Sequence, residues 1–205
     1  MGVGRGRSRR TAQLRREEIL TATLEVVERE GLARTRVSDV ATALGVSPAL
    51  VFYHFRTKDA LVAEAFAHAA ERDVSRLEEI AASGAAPLER LRRMLRLYGP
   101  TGSATGWQLW IDAWALAQRE HEIQTVMRRM DQRWCAVLRD VIEAGVASDD
   151  FDCPDAAAAV TRISALLDGL AVATLVYRSV TRTQLRHWVA EAVSKELQLD
   201  PEVLA

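Results

Sequence analysis

The sequence contains little that would interrupt a helix and little that would mark export or a membrane. Its 205 residues include only five prolines and eleven glycines, while hydrophobic residues make up 49% of the chain. No apolar run approaches the roughly 20 residues that span a bilayer, and the arginine-rich N-terminus lacks the apolar segment of a signal peptide. We therefore expect a helical, cytoplasmic protein without a membrane partner.

Cysteine is scarce, and the usual signatures of an enzyme are missing. Cys135 and Cys153 lie far apart in a chain without an export signal, which favours reduced thiols. The sequence has neither a Gly-rich phosphate loop nor a nucleophile elbow. His68 and Glu71 could share a helix face, but no third metal ligand stands nearby in sequence. We therefore predict no enzymatic activity, no catalytic residue, no metal site and no cofactor.

Charge is divided between the two parts of the chain, although the net charge is only -1. Residues 1–60 carry eleven Lys/Arg against seven Asp/Glu, whereas residues 61–205 carry sixteen against twenty-one. This distribution favours a polyanion as the partner of the N-terminal part alone. We expect residues 1–13 to be a disordered basic tail. Charge by itself does not decide whether this tail binds a partner or is only solvated.

Apolar periodicity and capping residues divide the rest of the chain into helices. One helix runs from Leu14 to about Gly31, and a short one covers about 37–44 before Gly45, a residue that tolerates positive φ. Ser47 and Pro48 supply an N-cap and a first-turn proline for a third helix. Further helices are predicted at about 58–82, 87–98, 107–119, 122–145, 154–178 and 182–197. About nine helices without β-period alternation predict an all-α fold.

The second and third predicted helices have the features of a helix-turn-helix. Ala41 is small enough for the next helix to cross close by, and Gly45 makes the turn. Val46 and Val51 would fill the space between the two helices. We expect a three-helix domain over residues 14–60 and a larger helical domain over residues 61–205.

Four consecutive rings end the third helix, which is too short to bury all of them. We expect Phe52 and Phe55 to pack inward and Tyr53 and His54 to face outward, where they could donate hydrogen bonds to phosphate. Lys58 stands in the first turn of the next helix, where a cation opposes the macrodipole. That placement is favourable if the helix N-terminus and the lysine together receive a phosphate. In the alternative interpretation, Tyr53 and His54 form a half-buried elbow between helices, and Lys58 is a solvated surface residue.

Residues 14–61, with TRVSDVATALGVSPALVFYHFRTKDAL at their centre, resemble the TetR family of bacterial transcriptional regulators. The shared features are the helix-turn-helix, the aromatic-Tyr-His-Phe run and the lysine that opens the fourth helix. The resemblance implies that Pro48–His54 is a recognition helix in the major groove of a double-stranded DNA operator. The DNA-facing positions are then Ser47, Ala49, Leu50, Tyr53, His54 and Lys58, with Arg36 and Ser38 as further candidates.

Two departures from the family pattern concern base recognition. Arg36 stands where Thr or Ser is a common cap, so either Thr35 caps the second helix or Arg36 contacts DNA. The recognition helix offers mostly apolar groups, which suit thymine methyls better than guanine. Base recognition would then fall partly to Arg36, Ser38 or the arginine tail in a minor groove.

The segment 154–178 is apolar on almost every side and must therefore be covered on every side. Ala165, Gly169 and Ala173, spaced by four residues, would let another helix approach closely. The last predicted helix adds the stripe Leu185, Trp188, Val189 and Ala192. We interpret the two helices as half of an intersubunit four-helix bundle, as the resemblance also implies. A homodimer would present two recognition helices to a pseudo-palindromic site.

Three tryptophans lie on one helical face, because Trp107, Trp110 and Trp114 are spaced at i, i+3 and i+7. In the simpler interpretation they form a core stripe. In the other they are the aromatic wall of a pocket for a small-molecule effector, able to hold a cation over ring faces. The candidate ligand-binding residues are Met94, Trp107, Trp110, Trp114, Met130, Trp134 and Asp168.

The favoured hypothesis is a TetR-type regulator, a repressor that binds its operator as a homodimer and is released by an effector in the C-terminal domain. Effector binding would swing the fourth helix and change the separation of the two recognition helices. The alternative is a DNA-binding helical protein without an inducer, in which the tryptophans belong only to the core.

Overall fold

A computed structural model describes residues 3–99 and 105–204, with side chains from residue 13 onward apart from that of Thr105. These residues form nine α-helices and contain no strand, which confirms the predicted all-α class. The helices are α1 (Val3–Glu30), α2 (Val37–Leu44), α3 (Pro48–His54), α4 (Lys58–Ala81), α5 (Pro87–Tyr98), α6 (Thr105–Ala117), α7 (His121–Ala147), α8 (Ala156–Leu175) and α9 (Arg182–Leu197), and a 3-10 helix follows at Pro201–Val203.

The turn between α2 and α3 has the predicted geometry. Gly45 adopts a left-handed φ of 65°, and its N–H and that of Val46 close the end of α2. The Ser47 hydroxyl accepts the N–H of Leu50 at 3.3 Å, and the Thr57 hydroxyl accepts the N–H of Ala60 at 3.0 Å. Both side chains therefore cap their helices as expected.

The first helix is longer than predicted. It begins at Val3, whereas the sequence predicts a start near Leu14 after a disordered tail. The additional residues include arginine, alanine and glutamine, which favour helices, as well as Gly4 and Gly6, which do not. The helix therefore starts before its apolar period begins.

The described residues divide into two compact units. One contains the chain up to Glu71 together with Leu109–Arg128, and the other contains Arg72–Gln108 together with the chain from Arg129 onward. The division falls inside α4, and Leu61 and Ala65 of α4 belong to the core of the first unit. The helices α4, α6 and α7 each contribute residues to both units.

In the first unit, α1, α2, α3 and the start of α4 enclose a small core. Ala41 and Val51 are fully buried, as their predicted roles require. Phe55 is buried as well, but Phe52 is 46% exposed, so the expectation that it packs inward is wrong. Phe55 leaves the helix in an extended conformation (φ -132°, ψ 108°), and its ring occupies the core beside Val51. Phe52 consequently stays at the surface.

In the second unit, the C-terminal half of α4 packs with α5, α7, α8 and α9. The core includes Leu77, Leu91, Leu138, Ile163 and Val193. Leu185 and Val189, predicted to face a second subunit, are buried in this core instead. They lie four residues apart on α9, and that face of the helix packs onto its own chain.

Candidate nucleic-acid interface and ligand-binding site

The predicted DNA-facing residues lie at the surface of the first unit. Tyr53 is 81% exposed. Arg36, Ser38, Ser47 and Ala49 are also exposed, whereas Leu50, His54 and Lys58 are half-buried. The Tyr53 and His54 rings meet edge to face, with centroids 5.3 Å apart. The short helix α3 thus presents polar ring edges together with small and apolar side chains.

Lys58 is held in place by the loop that precedes α2. Its Nζ donates a hydrogen bond of 3.0 Å to the carbonyl of Ala33. An ammonium group has three N–H donors, so this bond fixes the side chain while two donors remain. The arrangement is compatible with the predicted phosphate contact, which stays a prediction.

The two alternatives at the start of α2 can now be separated. The Thr35 hydroxyl donates to the carbonyl of Gly31 at 2.9 Å, and the side chain is fully buried. Thr35 therefore does not cap α2, and that alternative is wrong. Arg36 occupies the N-cap position in an extended conformation without a side-chain capping bond, and it is exposed. Its contact with DNA stays a prediction.

Phe52 is a surface residue that sequence reasoning missed. Ala49, Phe52 and Tyr53 lie at i, i+3 and i+4, so they share one face of α3. All three are exposed. The helical spacing was the signal that could have identified Phe52, since an aromatic ring on the face of Ala49 and Tyr53 cannot also point into the core.

Three rings form an aromatic cluster in the second unit, consisting of Tyr98, Trp107 and Trp134. Tyr98 and Trp134 are stacked, with centroids 3.9 Å apart and planes inclined by 15°. Trp107 meets Tyr98 edge to face at 5.4 Å, and its Nε1 donates to the Tyr98 carbonyl at 2.9 Å. The Nε1 of Trp134 donates to the hydroxyl of Ser164 at 2.9 Å. The cluster therefore connects the C-terminal end of α5 and the N-terminal end of α6 with the middle of α7 and of α8.

The aromatic cluster lies in a negative electrostatic environment. Burial, followed by the charge of Asp131, raises the pKa of Asp168 to about 6. Burial also raises the pKa of the Tyr98 phenol. The carboxylates of Asp168, Asp131 and Asp73 act on that phenol in the same direction. Three acidic residues from α4, α7 and α8 therefore act on the Tyr98 phenol at the centre of the cluster.

The structure divides the predicted ligand-binding residues. Trp107, Trp134 and Asp168 belong to the aromatic cluster and its acidic surroundings. Met94 belongs to the core of the second unit that also contains Trp134, and Met130 is fully buried. Trp110 and Trp114 of the predicted three-tryptophan wall fall in the first unit, where the Trp110 ring meets Phe66 edge to face at 5.0 Å. A ligand-binding role for these two residues stays a prediction.

Tyr98 was not predicted as a site residue, and the sequence offers no signal for it. It is the last residue of α5, and its apolar spacing is that of an ordinary core residue. Its role becomes visible only when α5 and α7 pack and stack its ring on Trp134.

One side of α8 and part of α9 form an exposed apolar surface, called here the α8–α9 face. Ala165 and Gly169 are exposed, and Ala173 and Ala192 are half-buried. Trp188 is 39% exposed. By length and composition alone α8 could cross a membrane, as core helices of soluble proteins also could, and 33% of its most apolar stretch is buried within this chain.

Comparisons with known proteins agree with this architecture. Residues 19–65 match the tetR family of bacterial regulatory proteins, and residues 87–198 match the C-terminal domain of the BetI-type transcriptional repressors. The HTH-type transcriptional regulator BetI of Stenotrophomonas maltophilia is 27% identical over 165 residues, which cover 77% of this chain and 79% of the relative.

Solved structures give the same result. A transcriptional regulator from Saccharomonospora viridis, crystallised in complex with choline, is 26% identical with a TM-score of 0.80 and covers 89% of this chain and 96% of its own. A TetR-family regulator from Rhodococcus sp. has the same fold, with a TM-score of 0.75 at 24% identity over 89% of this chain and 98% of its own.

Proposed function

The chain belongs to the TetR family of bacterial transcriptional regulators and carries a BetI-type C-terminal domain, and we propose that it is a homodimeric repressor released from its operator by a small quaternary ammonium cation. The observation that carries the effector class is the aromatic cluster with its three surrounding carboxylates. The exposed face of α3 supports operator binding, and the exposed face of α8 supports dimerisation.

The chemistry of the aromatic cluster suits a cation that has no hydrogen to donate. A quaternary ammonium group is bound by the negative faces of aromatic rings, and tryptophan provides the strongest such face. Trp107 is half-buried and supplies the accessible indole, whereas Trp134 is 2% exposed and stacks on Tyr98 behind it. The hydrogen bonds of both Nε1 atoms fix the orientation of the two indoles. The half-buried carboxylate of Asp168 would supply the compensating charge. The choline bound to the related regulator from Saccharomonospora viridis supports the same class of ligand.

The exposed face of α3 supports operator binding in the major groove. Tyr53 and His54 can donate hydrogen bonds to phosphate oxygens, and Ala49 and Phe52 offer apolar groups that suit thymine methyls. Lys58 would add charge at the start of α4. The face is therefore better suited to backbone contacts and to thymine than to guanine.

The α8–α9 face supports the homodimer. Its small residues, Ala165 and Gly169, let a second helix approach closely, and the exposed Trp188 on α9 adds a large apolar group. Contiguous apolar surfaces of this kind are normally covered by a partner. In an isologous dimer the same face of a second copy would cover it.

Effector binding would reach the first unit through helices that contribute to both units. The helix α6 carries Trp107 of the aromatic cluster and, further along, Asp112. The carboxylate of Asp112 accepts the N–H of Leu32 at 3.3 Å, at the end of α1. A shift of α6 or α4 would therefore change how the DNA-binding helices are held, and two recognition helices could no longer engage both half-sites.

The effector proposal is tested with choline and with its uncharged carbon isostere. We expect choline, but not the isostere, to raise the melting temperature and to release a duplex that the protein has selected from a randomised pool. Trp107→Phe should weaken choline binding several-fold, because phenylalanine has the weaker cation-binding face. Trp110→Phe is the matched control, since Trp110 packs on Phe66 in the other unit.

Two results would contradict the proposal. Equal responses to choline and the isostere would mean that charge is not recognised. Selected DNA that stays bound with no stabilisation by choline would favour the alternative, a DNA-binding protein whose tryptophans serve only the core.

A further inference from the structure

Arg16 makes three contacts that join three helices of the first unit. Its Nη1 donates a hydrogen bond of 2.6 Å to the carbonyl of His54, the last residue of α3. Its Nη2 forms an ion pair with the carboxylate of Glu64 on α4. Its Cζ lies 4.2 Å from the centroid of the Phe55 ring. One guanidinium on α1 thus holds the end of the recognition helix from several directions.

The contact with His54 satisfies a group that the helix itself leaves free. The last carbonyls of a helix have no intrahelical partner, and a cation at this end is favoured by the macrodipole. Guanidinium is planar and has five donors, so it can bind a carbonyl, pair with a carboxylate and stack on a ring at once. Lysine, with a single ammonium group, cannot reproduce the three contacts together.

The recognition helix needs external support, because α3 has seven residues and Val51 is its one buried residue. Phe55 follows in an extended conformation and is anchored in the core. Between these two anchors, Tyr53 and His54 are oriented by the backbone that the Arg16 guanidinium holds at the His54 carbonyl.

We propose that Arg16 is a positioning residue of the recognition helix, which raises sequence-specific affinity by fixing the direction of Tyr53 and His54 without itself contacting DNA. The inference rests on the proposed DNA-binding function. It separates Arg16 from the other arginines of the basic N-terminal segment, because its charge is compensated by Glu64 within the domain.

The test compares a selected duplex with a random-sequence duplex. For Arg16→Lys and Arg16→Gln we expect affinity for the selected duplex to fall about tenfold, the loss expected for one charge-assisted hydrogen bond. Affinity for the random duplex should change far less, and the slope of log affinity against log salt should stay unchanged. Arg15→Gln is the matched control, because the neighbouring Arg15 pairs only with Glu18 one turn away on the exposed side of α1.

Glu64→Gln separates positioning from electrostatics. Removal of a negative charge near DNA would tighten binding to both duplexes equally. If Glu64 acts by holding Arg16, the ratio of selected to random affinity falls instead. This variant also keeps the test decisive should Arg16→Gln fail to fold.

The proposal is overturned if Arg16→Gln lowers the salt slope by about one unit, since that change is the mark of a lost phosphate contact. Equal losses on both duplexes, or no loss at all, would overturn it too. Hydrogen exchange without DNA gives an independent readout: Arg16→Lys should accelerate exchange at the amides of α3 and Phe55, while Arg15→Gln should not. A wild-type protein that selects no duplex would contradict the proposed function, and unchanged exchange would contradict the role of Arg16.

Discussion

Asp168 carries a half-buried carboxyl whose charge changes close to neutral pH. Burial, followed by the charge of Asp131, raises its pKa to about 6. A bound cation stabilises the ionised carboxylate, so the cation and the proton compete for the same group. The Tyr98 phenol, on which Asp168 acts, is neutral throughout this range.

We expect choline affinity to decrease as the pH falls from 7 to 5, because the protonated fraction of Asp168 increases as the pH passes through about 6. Calorimetric titration at several pH values measures this dependence. Asp168→Asn should weaken binding at pH 7 and remove most of the pH dependence. A variant that keeps the wild-type pH profile would assign the dependence to another group.

The raised pKa of Asp168 makes the free protein more stable as the pH falls, which is opposite to its effect on choline binding. The folded carboxyl of Asp168 binds its proton more tightly than the unfolded one, whose pKa is 3.8. The contribution of Asp168 to stability therefore increases as the pH falls through about 6 and becomes constant below 3.8. Asparagine at this position abolishes the contribution, so the difference in melting temperature between wild type and Asp168→Asn gives a second measurement without ligand.

At the scale of single elements, α7 is shaped at its C-terminal end by the absence of one side chain. A Cβ on Gly145 would lie 2.1 Å from Cδ2 of Phe151, a ring that is buried in the core of the second unit. The N–H groups of Asp150 and Phe151 also return to the Gly145 carbonyl. The close approach lets the segment between α7 and α8 fold back onto α7.

Gly145→Ala should therefore destabilise the protein by about 1–3 kcal/mol, the usual cost of overpacking a core, even though alanine favours a helix. Urea unfolding measures the change. Gly84→Ala is the control, because a Cβ at that position meets nothing within 4 Å and should change stability by less than about 0.5 kcal/mol. If Gly145→Ala unfolds like the control, the Phe151 ring moves aside without cost.

The elements were predictable where local chemistry determines them. Gly45, Ser47 and Thr57 fix turns and caps through bonds within a few residues, and the predicted bounds of α2 and α3 are the observed ones. The same local reasoning placed Phe52 in the core and left Thr35 as one of two alternatives at the start of α2, because it could not know that Phe55 already fills the core or that the Thr35 hydroxyl binds Gly31.

The candidate ligand site was less predictable because it depends on contacts between distant parts of the chain. Trp107, Trp134 and Asp168 were identified as residue types without knowing that Tyr98 joins them. The stacking of Tyr98 on Trp134 and the charges of Asp131 and Asp73 arise from the packing of α4, α5, α7 and α8. Sequence spacing within one helix carries no information on such contacts.

At the scale of the whole molecule, the α8–α9 face supports the proposed dimer for a reason that does not depend on the family. The inner side of α9 is covered by its own chain, since Leu185 and Val189 are buried. The outer side of α8 is not covered, because Ala165 and Gly169 remain exposed. A partner helix that packs on these small residues would cover backbone as well as side chains.

Gly169→Glu tests this assignment with little risk to the fold of the single chain, because a Cβ on Gly169 meets nothing within 4 Å of the same chain. We expect the wild type to have the mass of a dimer in light scattering and the variant that of a monomer, because a buried, unpaired carboxylate is strongly unfavourable. Operator affinity should then fall on the order of a hundredfold, since the two half-sites are no longer bound by linked domains. Gly84→Glu makes the same change at an exposed position with open space and should leave mass and affinity unaltered. A dimer that survives Gly169→Glu would place the partner on another surface, and α8 would need a different explanation for its apolar outer side.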